Sequence, residues 1–224
     1  MKSVRIPVLV AAAWGVLACP ASAQSEAQTS PTPTMVKLAS ELPAWRTVSL
    51  GLHRSVDAFR NAFDKAHMAI GDSADEILGR PAFTFAKARR DLDLVVVSVA
   101  DLGFGEAGAP LSDIHARGLA LGLALCPEEV GPQLRLQYLH QPIGEFLHVA
   151  MKPLRTYGGT PVDFTLANGG AGLALLGGEA TPDLVIPGTV RFVFARRYRE
   201  LLPAEWIAHE HGDGRWARSR RPFP

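Results

Sequence analysis

The stretch Phe164-Thr165-Leu166-Ala167-Asn168-Gly169-Gly170-Ala171-Gly172-Leu173-Ala174-Leu175 decides the fold. Apolar side chains recur at alternate positions on both sides of a glycine-rich centre, which is the pattern of two strands joined by a turn. Closing Asn168 to Ala171 as a four-residue loop sets Leu166 against Leu173 and Phe164 against Leu175, so the large side chains share one face. Val190, Phe192 and Phe194 supply a later strand of the same kind.

Working back toward the N-terminus, the alternation continues. Pairing Leu139 with Gly144 across His140 to Ile143 makes a hairpin in which Leu136 faces Leu147 and Leu134 faces Val149. Arg135 then faces His148 on the opposite, polar surface. Leu94 to Ala100 is apolar on both faces and β-branched, the mark of a central strand. The first third is helical instead: Val56, Phe59, Phe63 and Ala66 form one stripe behind a Ser55 cap. Ser73 and Glu76 match a capping box for a short helix ended by Gly79 and Pro81, and Ser112 is placed to cap a third. Helices first and hairpins later predict an α+β domain, N-terminal helices packed on a mainly antiparallel sheet built from C-terminal hairpins.

The ends set the organisation. Lys2 and Arg5, the apolar run Ile6 to Ala18, and Ala21-Ser22-Ala23 have the layout of a secretory signal over 1–23, too short for a transmembrane span. Val16-Leu17-Ala18-Cys19 also matches the lipobox of a lipoprotein, with Cys19 the lipidation site. Two outcomes stay open: a periplasmic or secreted protein, or an envelope protein lipid-anchored at Cys19. Residues 24–34 read as a flexible linker, 35–200 as a single α+β domain, and 201–224 as a basic, histidine-containing tail.

Charge is balanced, with 23 basic and 22 acidic residues in 224. That argues against a nucleic-acid partner, and a membrane contact is expected only if Cys19 is lipidated. Of the two cysteines, Cys126 reads as a small buried hydrophobe. Gly103-Phe104-Gly105-Glu106-Ala107-Gly108 matches G-x-G-x-x-G, but Pro110 and Ser112 delay the helix that a pyrophosphate site needs, so the loop is read as a bend and no cofactor is expected. His209, His211 and Asp213 are weak metal candidates beside the arginines at 215, 218, 220 and 221; a solvated tail is the better reading. Glu145, His140 and His148 are weak candidates for acid–base work, since the hairpin register makes them diverge. The outward strip Arg135, Gln137, Phe146 and His148, with Lys152 beyond it, is the candidate binding surface, since an aromatic beside Arg and His serves as an anchor in such surfaces; the alternative is that another element, such as the third helix, covers this face and buries Phe146 as core.

Cys126-Pro127-Glu128-Glu129-Val130-Gly131-Pro132-Gln133-Leu134-Arg135-Leu136-Gln137-Tyr138, followed by Gln141-Pro142 and Gly144-Glu145-Phe146-Leu147, resembles the central motif of a bacterial family of hypothetical proteins. The resemblance runs from about Trp45 to Arg196. It departs at the hairpin, where the family pattern has an acidic residue at position 140 and Trp at 146. It implies a shared fold and carries over no catalytic residues. The expectation is an exported, non-catalytic binding or interaction domain whose partner is an envelope component, protein or small ligand; the alternative is a periplasmic hydrolase acting on a cell-wall polymer.

Overall fold

A computed structural model describes residues 42–196. The signal segment with Cys19, the linker, and the tail with His209, His211 and Asp213 lie outside the described residues.

The chain builds a sheet-dominated domain. Nine strands form a mixed sheet curled into a half-barrel. The elements are β1 (Arg46–Leu50), α1 (Val56–Lys65), β2 (Ala69–Ile70), α2 (Asp72–Leu78), β3 (Arg90–Ser98), β4 (Ala109–Pro110), α3 (Leu111–Ala120), β5 (Leu123–Ala124), α4 (Val130–Gln137), β6 (Phe146–Val149), β7 (Leu154–Arg155), β8 (Pro161–Asn168), β9 (Leu173–Glu179), β10 (Val185–Ile186) and β11 (Arg191–Arg196). The main path runs β1-β3-β11-β6-β8-β9-β2; β5 pairs with β11, β7 with β8, and β4 with β10 in a separate ribbon. The pairs β11/β6 and β2/β9 are parallel.

This corrects the expected fold class. The sheet is not assembled from C-terminal hairpins alone, because β1 and β3 from the N-terminal half form one side of it and β11 joins the two halves. Nor do helices precede it: α1 and α2 lie between strands.

The hairpin from Phe164 to Leu175 forms with Leu166 opposite Leu175 and Phe164 opposite Gly177. The loop is therefore Gly169 to Gly172, a shift of two residues from the expected closure. Strand side chains alternate with a period of two, so this shift leaves Phe164, Leu166 and Leu175 on the expected face. The first expected hairpin does not form. Val130–Gln137 is a helix, and the pairs Leu136–Leu147, Leu134–Val149 and Leu139–Gly144 are absent; β6 pairs with β8 and β11 instead. Ser55 caps α1 through the Ala58 amide at 3.1 Å. By contrast, α2 and α3 carry no side-chain cap, and Glu76 accepts from the Tyr157 amide rather than closing a box.

Alternation along the strands sorts two cores. Val149, Val193, Leu147, Leu166 and Phe164 face α1, α2 and α4, whose Phe59, Phe63, Ile77 and Leu134 fill the larger core. Val95, Val97, Phe192 and Phe194 face the other way, under Leu111 and Ile114 of α3. Each large apolar side chain buried in this way contributes about 1.5–3 kcal/mol. Among the described residues no helix is long and apolar enough to cross a membrane.

Candidate functional site

The motif from Cys126 to Tyr138, with Gln141 beyond it, is spent largely on architecture. Glu129, almost wholly buried, accepts hydrogen bonds from the amides of Gly51 (2.7 Å) and Ala86 (2.6 Å) and from Gln133 Nε2 (2.9 Å). Glu128 accepts from the Thr84 hydroxyl at the surface. Arg135 is fully buried; it donates to Gln141 Oε1 and to the carbonyls of Tyr138 and Ala167, and burial pulls its pKa down to about 10. Gln141 passes the network on to the carbonyls of Glu145 and Leu166. These bonds hold the segment 138–146 against β8.

That segment presents Glu145. Tyr138 donates its hydroxyl to Glu145 Oε2 at 2.8 Å, and Arg191 pairs with Oε1 at 3.0 Å. Burial raises the Tyr138 pKa, helped by the hydrogen bond to Glu145 and opposed by Arg46 and Arg191. Arg191 heads β11 and is 43% exposed, so its guanidinium is both oriented and accessible. Two clefts share it. One, of about 240 Å³, is lined by Glu145, Phe146, His148, Thr189 and Val190; the other, of about 300 Å³, by Leu42, Pro43, Trp45, Val96, Ser98 and Asp101.

The structure separates the expected binding strip. Phe146 is half exposed and lines the smaller cleft with His148, and Lys152 is exposed. Arg135, however, is core, and Gln137 bonds to the backbone of β1. A helix replaces the strand on which both were to point outward. Of the acid–base candidates, Glu145 and His148 line one cleft rather than diverging, while His140 is exposed in the loop outside it. His148 packs on Phe192 with ring centroids 5.4 Å apart and has Nδ1 3.3 Å from Thr165 Oγ1; burial lowers its pKa. Beside His148 and Thr165, Asp163 is buried, its Oδ1 has no partner among the described residues, and desolvation raises its pKa.

The residues not foreseen are Arg191, Arg46 and Trp45. The available signal was a charged residue heading an apolar strand, where a solvated end explains it as well. No group of three or more metal-ligating side chains occurs among the described residues. The G-x-G-x-x-G loop packs on β10: a Cβ on Gly108 would lie 1.9 Å from the Ile186 carbonyl oxygen. Cys126 is a buried free thiol with its pKa pushed up by burial. Comparison with protein families, curated proteins and solved structures finds no match.

Proposed function

We propose that the protein is an exported, non-catalytic binding domain of the cell envelope whose ligand site is the pair of clefts sharing Arg191. The observation that supports it most is the support chain Tyr138–Glu145–Arg191, which fixes a half-exposed guanidinium between two concavities. Fixing a recognition group before the ligand arrives lowers the ordering cost of binding. Both oxygens of Glu145 are engaged, which suits a positioning carboxylate better than a general base.

A second reading, a hydrolase acting on a cell-wall polymer, is favoured by Glu145 and His148 lining one cleft. An NMR titration of the full chain with neutral, cationic and anionic fragments, together with an assay for cleavage of peptidoglycan fragments, separates the readings. Amide shifts confined to residues 144–148 and 189–191 without turnover are expected. Turnover abolished by His148→Ala would establish the hydrolase, and shifts elsewhere only would remove the site.

A further inference from the structure

Around the Tyr138 ring, three arginines meet one carboxylate. Arg46 holds its guanidinium carbon 4.5 Å from the ring centroid and Arg135 holds its own at 5.9 Å. Arg191 reaches Glu145, the acceptor of the Tyr138 hydroxyl. Among the described residues, Arg191 is the one member of this trio with an ion-pair partner. Arg135 is bonded to neutral oxygens, and the buried Nε atoms of Arg46 and Arg135 have no acceptor among the described residues.

A guanidinium stays charged in proteins, and a buried cation needs compensation. Among the described residues, one carboxylate against three guanidinium groups leaves two positive charges without a counter-charge in contact, one on the fully buried Arg135 and one on the half-buried Arg46. The cluster meets solvent at Arg191 and at the half-buried Arg46. Asp101, the other carboxylate lining these clefts, is hydrogen-bonded to the Ser98 amide at 3.2 Å.

We infer that Arg191 anchors the carboxylate of a ligand whose apolar part packs on Phe146. The inference rests on the binding reading above and adds the ligand chemistry. The Arg191 side chain uses one nitrogen for Glu145 and among the described residues makes no other side-chain hydrogen bond. The remaining donors of the fork suit a planar, two-oxygen acceptor. Phe146, 48% exposed in the same cleft, offers an aromatic wall to the rest of the molecule.

The test is an NMR titration of the full chain with N-acetyl-phenylalanine, its carboxamide and inorganic phosphate. The free acid should bind about tenfold or more tightly than the carboxamide, with shifts at Arg191 and Phe146. Arg191→Gln should erase that preference, and Arg191→Lys, which keeps charge but not the fork, should reduce it. Acid and carboxamide shifting the cleft equally would overturn the charge inference while leaving the cleft a binding site. Phosphate binding more tightly than the acid would overturn the carboxylate assignment. Cleft shifts with the carboxamide or another neutral fragment but with neither the free acid nor phosphate would overturn the inference alone, and no cleft shifts with any compound would overturn the binding reading with it.

Discussion

Gln137 engages both backbone groups of Ser49, donating from Nε2 to the carbonyl and accepting from the amide at Oε1, each at 2.9 Å. Ser49 lies on β1, an outer strand of the sheet, so the side-chain amide takes the place of a neighbouring strand. An edge covered in this way has fewer open groups for pairing with another chain.

Gln137→Ala should cost about 1–3 kcal/mol in denaturant unfolding, since it strips the partners from two backbone groups at once. A change below about 0.5 kcal/mol would mean that water replaces the amide without loss.

Glu129→Ala should cost more, about 3–5 kcal/mol, because three donors share that one buried carboxylate. Glu129→Gln, which retains one acceptor oxygen, should fall between. Equal unfolding midpoints for the two variants would contradict the clamp.

Leu147 is fully buried on β6, whereas Leu136 is partly buried on α4. Leu147→Ala should therefore lower stability by about 2–5 kcal/mol and Leu136→Ala by roughly half as much. The reverse order in urea melts would contradict the placement of these two side chains.

Gly108 combines φ 77° with the close approach to Ile186. Gly108→Ala should cost about 3 kcal/mol or more, since the left-handed backbone and the clash both oppose a side chain. Gly144→Ala shares the positive φ but meets open space, so its cost should be nearer 1 kcal/mol. Circular dichroism melts of the pair would compare clash with backbone strain.

Burial lowers the His115 pKa from 6.5 to about 4, with the ring edge-on to Phe192 and Phe194. The folded state therefore holds the neutral ring, and the unfolded chain binds the extra proton as pH falls below 6.5. Stability contributed by this neutrality is complete above pH 6.5 and lost as pH drops toward 4, by about 2–3 kcal/mol. His148 shifts in the same direction; Asp163 has the opposite sign, since a raised carboxyl pKa costs stability as pH rises. His115→Phe should flatten the loss between pH 6.5 and 4 in chemical unfolding. An unchanged slope would show that another group dominates it.

Much of the strand pattern was legible. The faces of Phe164, Leu166 and Leu175 and the pairing strand at Phe192 followed from alternation, because burial of one face constrains period-two residues strongly. The central strand was legible instead from the run Leu94 to Ala100, apolar on both faces, although the strand ends at Ser98 and residues 100–104 turn helical. The segment 130–137 shows where that logic stops. Leu134, Leu136 and Tyr138 alternate like strand residues, yet the segment is a helix whose polar side chains bond to distant backbone: Gln137 to Ser49, and Arg135 to Ala167. Such partners lie 88 and 32 residues away, beyond any local window. The same distance concealed the site, since Glu145 becomes a positioning group only when Arg191 arrives from β11.

The place of β11 also constrains how the molecule can be made. It lies between β3 and β6, parallel to β6, and joins strands drawn from the two halves of the described chain. Until residues 191–196 emerge during synthesis, the β1/β3 pair and the β6/β8/β9 group have no shared hydrogen-bonded ladder and each exposes an edge. Completion of the sheet thus waits on this one strand, and the guanidinium of Arg191 enters on the strand that closes the fold.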